Sequence, residues 1–254
     1  MRFAGWGSPS SAGRVGRTMG KFERIDLEPA LVLHARPYRE TSLLVEVFSR
    51  GHGRLGLIAR GARRPKSTMR GLLQPFVPLL LSWRGRGELA TLTDAETEGT
   101  VVPFVGSAAI VGFYVNELLL RFLHRHDPEP VLFEHYRVVL DRIGRVNDPE
   151  PDLRIFEKRL LQAVGYALEL EREAGSGASI EPQGRYRYTM DAGPERWSSD
   201  TSRGVCVSGS TLIALAREEL ADRCTLREAK HLMRAIIDAH CGSRALVSRR
   251  LWRR

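Results

Sequence analysis

Residues 41–60 read TSLLVEVFSRGHGRLGLIAR and predict two β-strands joined by a tight turn. Residues 41–49 and 54–60 are rich in Val, Leu, Ile and Phe, and Gly51-His52-Gly53 between them is typical of a turn. The same segment fits the G-x-G-x-x-G pattern of dinucleotide-binding loops. That loop has to open a helix, whereas here a strand follows. We therefore predict a hairpin and no nucleotide-binding loop.

Three further short strands flank the hairpin, at residues 29–36, 79–83 and 88–93. Five short strands separated by turn residues, within about 75 residues, favour a small closed barrel. The OB-fold is the five-stranded barrel that binds oligonucleotides, and an SH3-like barrel would give the same pattern. The strand pattern alone leaves both barrels open.

After Pro103 the spacing of apolar residues changes to three and four, the period of a helix. Helices are predicted over residues 111–122, 132–143 and 153–164, and shorter ones near 212–219 and 225–237. Thr225 and Glu228 have the spacing of a capping box at the start of the last helix. The fold class is therefore α+β, an N-terminal barrel followed by a helical domain.

Three regions follow from this pattern. Residues 1–26 form a Gly-, Ser- and Arg-rich tail that we expect to be disordered, and Met19 inside it is an alternative start. Residues 27–103 form the barrel domain and residues 104–254 the helical domain. Within the latter, residues 171–204 are an irregular insertion with a short strand at Tyr186-Arg187-Tyr188 and little core of its own.

The charge of +9 is unevenly distributed along the chain. Residues 1–103 carry +7 and residues 104–254 carry +2, and residues 47–87 hold nine Lys or Arg and no acidic residue. A surface of one sign repels itself unless a polyanion compensates it, which points to nucleic acid. The alternative is a solvated basic loop in an arginine-rich protein.

The densest basic segment is the loop at residues 60–70, where Gly and Pro disfavour a helix and leave the chain flexible. Such a loop can follow a phosphate backbone, and Tyr38 between two arginines can stack on an unpaired base. Phe76 and Trp83 are either further stacking platforms or barrel core. A C-terminal cluster at Arg244, Arg249, Arg250, Arg253 and Arg254 either extends the DNA contact or frays. The predicted DNA-binding residues are Arg36, Tyr38, Arg39, Arg54, Arg60, Arg63, Arg64, Lys66 and Arg70.

Several classes of protein and site are disfavoured. No apolar run is long enough for a membrane span or a signal peptide, so we expect a cytoplasmic, nucleoid-associated protein with no membrane partner. The three cysteines form no Cys-x-x-Cys pair, so we expect buried free thiols and no metal site. With no phosphate-binding loop and no catalytic constellation, we expect no enzyme activity and no cofactor.

Several motifs together resemble the RecO family of bacterial DNA-repair mediators. The resemblance runs from about residue 27 to the end, and its early motifs are the most specific. They are Leu33-His34-Ala35-Arg36-Pro37-Tyr38-Arg39-Glu40-Thr41-Ser42, Gly61-Ala62-Arg63 and Gly71-Leu72-Leu73-Gln74-Pro75-Phe76-Val77-Pro78-Leu79. Weaker matches include Tyr114-Val115-Asn116-Glu117, Arg154-Ile155-Phe156-Glu157, Gly165-Tyr166 and Leu226-Arg227-Glu228-Ala229-Lys230.

The resemblance implies an N-terminal OB-fold followed by a helical domain. It also implies a non-enzymatic protein that binds single- and double-stranded DNA and anneals complementary strands. With RecR, such proteins help to load RecA, an indirect partner, onto strands coated by single-stranded DNA-binding protein (SSB). Some members bind zinc through four cysteines in the inserted segment. This chain has no cysteine at residues 171–204, so zinc is not expected.

The resemblance also implies that the acidic C-terminal tail of SSB docks on the helical domain. We predict its site on the helix at residues 153–164, with Arg154 as the carboxylate partner. The alternative is an ordinary amphipathic helix with a solvated basic rim. The predicted residues are Leu153, Arg154, Phe156, Lys158 and Arg159.

Three rival functions remain open from the sequence. A generic OB-fold protein would bind single strands without mediator activity. A nuclease would use the acidic cluster of Asp148, Glu150 and Asp152 for metal, although these residues also suit a helix start. A factor for RNA or the ribosome would use the same basic barrel.

Overall fold

In the computed structural model, the N-terminal strands close into a five-stranded barrel. The structure describes residues 24–85, 87–145, 148–198, 204–242 and 245–251. The barrel strands are β1 (Arg24–Tyr38), β2 (Ser42–Ser49), β3 (Gly53–Ala59), β4 (Pro78–Arg84) and β5 (Leu89–Thr97). Their order is β1-β2-β3-β5-β4, with β4 paired back to β1 and only the β3–β5 pair parallel. This is an OB-fold, so the predicted fold class is confirmed.

Alternating side chains of the barrel strands fill two different cores. Inward residues such as Val45, Val47 and Leu57 are fully buried inside the barrel. Outward residues on the same strands, including Leu31 and Phe48, belong to the core of the helical body. The period of two along a strand therefore joins the barrel to the helices, because one face of the sheet serves each core.

The helical body follows the barrel. Its long helices are α2 (Ser107–Phe122), α3 (Pro130–Arg145), α4 (Glu150–Ala163), α5 (Gly209–Arg217) and α6 (Arg223–Cys241), preceded by α1 (Met69–Leu72) in the barrel and followed by α7 (Ser248–Leu251). Phe133 on α3 packs edge-on against Phe48 of β2, with ring centroids 5.4 Å apart. None of the helices in the described ranges is long and apolar enough to cross a membrane.

The inserted segment forms most of a small three-stranded sheet. Its strands are β6 (Arg185–Thr189), β7 (Gly193–Arg196) and β8 (Val205–Ser208), with β6 in the middle. Tyr186 and Tyr188 of β6 are buried in the helical core. The segment is thus attached to the body by aromatic side chains from one face.

Three expectations about local structure need correction. Residues 1–23 of the predicted tail lie outside the described residues, and its last three residues begin β1. The capping box is wrong, because Asp222 is the N-cap of α6 and its carboxylate accepts a hydrogen bond from the Thr225 amide. Cys206 and Cys224 are exposed and Cys241 is half-buried, so the thiols are free but not buried as expected.

Candidate nucleic-acid interface

The predicted DNA-binding residues of β1 and of the basic loop meet at one end of the barrel. Tyr38 at the end of β1 pairs with Ser42 at the start of β2, and Leu43 pairs with Ala59 at the end of β3. The turn after β1 and the loop after β3 therefore leave the barrel side by side. Antiparallel pairing brings together residues that are about twenty positions apart in the chain.

The basic loop is anchored at both ends rather than free along its length. Ala62 is fully buried in the barrel core, and Leu73 is buried there just after α1. Residues 63–66 between these anchors are exposed. The expectation of a wholly flexible, non-helical loop is wrong for its end, because Met69 and Arg70 begin α1. The buried anchors hold the exposed cations in a defined region.

Besides Arg63, whose guanidinium donates to backbone carbonyls, six exposed cations at this end have no carboxylate partner within the part of the chain that the structure describes. We call them the cationic end: Arg36, Arg39, Arg60, Arg64, Lys66 and Arg70. Glu40 is exposed in the turn beside Arg39, but no salt bridge joins it to any of the six. Unpaired cations in one region create a positive potential that attracts a polyanion.

A cleft of about 380 Å³ lies within the cationic end. Its lining residues are Tyr38, Arg39, Thr41, Ser42, Ile58, Arg60, Gly61 and Arg64. The guanidinium carbon of Arg39 lies 5.3 Å from the centroid of the Tyr38 ring, within the range of a cation–π contact. The cleft thus combines an aromatic ring, two hydroxyls and several cations.

Arg63 has a structural role in this region. Its amide donates to the Thr41 carbonyl at 2.9 Å. Its guanidinium donates to the carbonyls of Arg39 and Glu40, at 3.4 and 3.3 Å. These bonds tie the loop after β3 to the turn after β1. We therefore assign Arg63 to holding the cleft walls together, and the direct DNA contact that the sequence suggested for this exposed side chain stays a prediction.

Arg54 is also used inside the protein, which corrects its assignment as a DNA contact. Its guanidinium donates to the carbonyls of Leu120 and Leu123 at 2.6 and 3.1 Å, and it pairs with Glu46 at 3.4 Å. Helix C-terminal carbonyls lack partners within the helix and favour a cation. Arg54 lies near the start of β3, at the other end of the strand from Arg60, so sequence proximity to the basic loop was misleading.

The structure decides between the two interpretations of Phe76 and Trp83 in favour of core. The ring of Phe76 stacks on Phe104 with centroids 4.3 Å apart and is nearly buried. Trp83 is buried in the barrel core and lies edge-on to His52. Tyr38, in contrast, is half-buried and lines the cleft, with the Arg39 guanidinium over its ring.

The predicted groove for the SSB tail is not open on α4. Leu153 and Phe156 are buried in the helical core. Arg154 is 3% exposed and pairs with the fully buried Glu157 at 2.8 Å. Burial raises the pKa of the Glu157 carboxyl, although Arg154 and a hydrogen bond from Tyr114 act in the opposite direction. The expectation of an exposed Arg154 on a groove rim is therefore wrong, because its partner lies one helical turn away in the core.

Lys158 and Arg159 on the same helix are paired as well. Both contact the carboxylate of Glu218 at the end of α5, Lys158 at 2.9 Å. Partial burial opposes ionisation of Glu218, but hydrogen bonds from Arg159 and Lys158 outweigh it and lower the pKa to about 2. These two cations link α4 to α5 and are not a free basic rim.

The remaining charged clusters have internal partners. Glu150 pairs with Lys230, and the Asp148 carboxylate accepts from the Glu150 amide, as expected at a helix start. Among the described residues, no three His, Cys, Asp or Glu side chains are placed to bind a metal. Arg249 pairs with Asp238, whereas Arg244, Arg253 and Arg254 and the Arg250 side chain lie outside what the structure describes.

Four cleft residues are absent from the predicted DNA-binding residues: Gly61, which has no side chain, and Thr41, Ser42 and Ile58. Ile58 lies between Leu57 and Ala59, which point into the barrel, so strand alternation places its side chain outside. An apolar residue at an outward position near a basic loop was the available signal. Thr41 and Ser42 carry no such signal, because small hydroxyl residues are ordinary in turns.

The chain matches two protein-family models along nearly its whole length. The model described as "Recombination protein O N terminal" matches residues 26–101, and "Recombination protein O C terminal" matches residues 105–250. The chain is 48% identical over 228 residues to the DNA repair protein RecO of Nitrosococcus oceani, and the aligned region covers 90% of this chain and 93% of the relative. It is 49% identical over 234 residues to the DNA repair protein RecO of Methylococcus capsulatus, and the aligned region covers 92% of this chain and 96% of that relative.

Proposed function

This chain belongs to the RecO family, and from that membership we propose that it is a DNA repair and recombination mediator. It binds single- and double-stranded DNA, anneals complementary strands and, with RecR, helps to load RecA onto SSB-coated single strands. It does so by binding and without catalysis. In this proposal residues 27–103 are the DNA-binding domain and residues 104–254 the helical domain that contacts protein partners.

The cationic end carries the proposal. Six exposed cations lie at one end of an OB barrel, and none has an acidic partner within the described ranges. Phosphate binding releases counterions from DNA, and this supplies affinity that does not depend on sequence. A cationic surface that holds two strands also screens their repulsion and raises their local concentration. Base pairing then selects the partner, so annealing needs no residues that read bases.

The tail of SSB remains the proposed partner on the helical body. An acidic peptide requires cations beside an apolar surface, and α4 carries both kinds of side chain, with its apolar residues buried and its cations paired. Arg154 can bind the carboxylates of the tail only if it leaves Glu157, since the two are paired at 2.8 Å in the buried interior. Docking on α4 would therefore require local rearrangement of this helix.

Annealing of SSB-coated complementary oligonucleotides, with no nucleotide added, tests the proposal directly. We expect the protein to accelerate annealing of both naked and coated strands. RecA loading on coated strands, with and without RecR, then tests the mediator step. Failure to anneal coated strands, while naked strands anneal, would contradict the mediator function and retain DNA binding.

The alternative is a generic OB-fold protein that binds single-stranded nucleic acid without mediator activity. The burial of Leu153, Arg154 and Phe156 favours it, because these residues offer no surface to a peptide. Titration of a labelled SSB tail peptide separates the two functions. Saturable binding supports the mediator, and its absence supports the alternative.

A further inference from the structure

We infer that the cleft in the cationic end takes one unpaired nucleotide, and that it thereby selects single-stranded over duplex DNA. The inference rests on the proposed DNA binding and adds which form of DNA is preferred. It assigns a binding site to side chains that the phosphate contacts alone do not require, namely Tyr38, Thr41, Ser42 and Ile58.

The size and construction of the cleft fit a single nucleotide. Its volume is about 380 Å³, which is enough for one base with its sugar. One wall is the turn after β1, with Tyr38, Arg39 and Thr41, and the other is the start of the basic loop, with Arg60 and Arg64. Because the Arg63 bonds tie these walls together, their separation is fixed before any ligand binds.

The side chains within the cleft suit a base and its phosphate. The Tyr38 ring and the half-buried Ile58 offer apolar surface against which a base can stack and pack. The hydroxyls of Thr41 and Ser42 can bond to polar base edges as donor or acceptor, which makes them tolerant of sequence. Arg60 and Arg64 are exposed at the rim, where a phosphate would lie.

A duplex cannot use these groups without losing its own interactions. Its bases are paired and stacked on both faces, and extruding one costs that stacking and pairing. A duplex therefore gains only the phosphate contacts of the rim and the loop. A single strand gains the same contacts together with stacking in the cleft.

The test compares labelled mixed-sequence single strands with the duplex of equal length on the full chain. We expect Tyr38→Ala to weaken single-strand binding about tenfold, the range found when a base loses its aromatic platform, and to leave duplex binding within twofold. Tyr38→Phe keeps the ring and should bind both forms like the native chain. Lys66 lies outside the cleft lining, so Lys66→Ala should weaken the binding of single strands and duplex by the same factor.

A strand with abasic sites throughout provides a second test on the native protein. We expect it to bind more weakly than the natural strand, and Tyr38→Ala to cause no further loss on it. The inference is overturned if Tyr38→Ala affects both DNA forms equally or neither, or if the abasic strand binds the native chain as well as the natural strand. Absence of any DNA binding by the native chain is a different result, since it removes the proposed function itself.

Discussion

Asn116 on α2 accepts a hydrogen bond from the hydroxyl of Tyr136 on α3 at 2.5 Å, with both side chains buried. The amide nitrogen of Asn116 donates to the carbonyl of Leu33 at 3.0 Å. Leu33 lies where the register of β1 shifts between Val32 and His34, so its carbonyl has no regular ladder partner there. One polar side chain thus joins the barrel to two helices and satisfies groups that water does not reach.

Asn116→Ala should therefore lower the free energy of unfolding by about 3 kcal/mol, because it leaves more than one buried polar group without a partner. Tyr136→Phe removes a single donor and should cost about 1 kcal/mol. Urea denaturation followed by circular dichroism measures both values. Equal stabilities for the two variants would show that the bond to the Leu33 carbonyl contributes nothing.

The cationic end predicts how DNA affinity depends on salt. If its six cations contact phosphates, log affinity for a single strand should fall with log salt concentration with a slope of about −4. Replacing Arg60, Arg64 and Lys66 with Ala should reduce the slope to about −2 and weaken binding to all sequences alike. Fluorescence anisotropy at several salt concentrations measures the slope.

The matched control removes the same charge from the helical body. Arg217, Arg223 and Arg227 are exposed there, on or beside α5 and α6. Their replacement by Ala should leave the slope near −4 if phosphates lie on the cationic end. An equal decrease in both triple variants would mean that affinity follows net charge and not this surface.

The buried pair of Arg154 and Glu157 predicts a pH-dependent loss of stability. Arg154→Ala should cost about 3–5 kcal/mol near neutral pH, because it leaves a buried carboxylate without its cation. The loss should shrink as the pH falls, since burial already raises the pKa of Glu157 and protonation then neutralises it. Urea denaturation at pH 5 and pH 8 measures the difference.

A double variant tests whether the pairing causes this effect. Arg154→Met together with Glu157→Gln removes both charges, while Gln can still accept from the Tyr114 hydroxyl. We expect it to be more stable at pH 8 than Arg154→Ala, and to show little dependence on pH. A double variant as unstable as Arg154→Ala would point to lost packing as the cause.

Glu218 predicts loss of stability in acid. Its pKa is lowered to about 2, so its contacts with Lys158 and Arg159 stabilise the folded state above the usual pKa of 4.5. This contribution is lost as the pH falls from about 4.5 towards 2. Glu218→Gln should cost about 1–2 kcal/mol at pH 7, because solvent screens part of the interaction.

The measurement is the difference in unfolding free energy between the native chain and Glu218→Gln at several pH values. It should be constant above pH 5 and decrease in more acidic solution. A difference that does not change with pH would assign the effect to packing at the end of α5. The same protein samples provide an independent check, since Glu218→Gln should leave DNA affinity unaltered.

Local patterns in the sequence were sufficient for much of the fold. The alternation in residues 41–60 gives two strands whose faces serve different cores, and the bounds of β2 and β3 differ from the prediction by one residue. The apolar spacing after Pro103 gives α2, α3 and α4 in the same way. Both patterns depend on neighbours in the chain, so they can be recognised without tertiary contacts.

The role of each charged residue was much harder to predict. Arg54 lies near the start of β3 and Arg60 directly follows its end. Yet Arg54 binds helix carbonyls and Arg60 is exposed. Arg154 had the sequence pattern of a basic rim, but the packing of α4 buries it together with Glu157, its neighbour on the same helix. The residue type is arginine in all three cases, so composition cannot separate these roles.

The sequence by itself determined the five strands, the helices, the excess of positive charge near residues 60–70 and the family. Tertiary structure alone decided which of those charges remain unpaired, and it formed the cleft by bringing the turn after β1 against the loop after β3. The physical reason is the separation along the chain between the residues that interact. Secondary structure follows from residues a few positions apart, whereas the partner of a charge is set by whichever chain segment packs beside it.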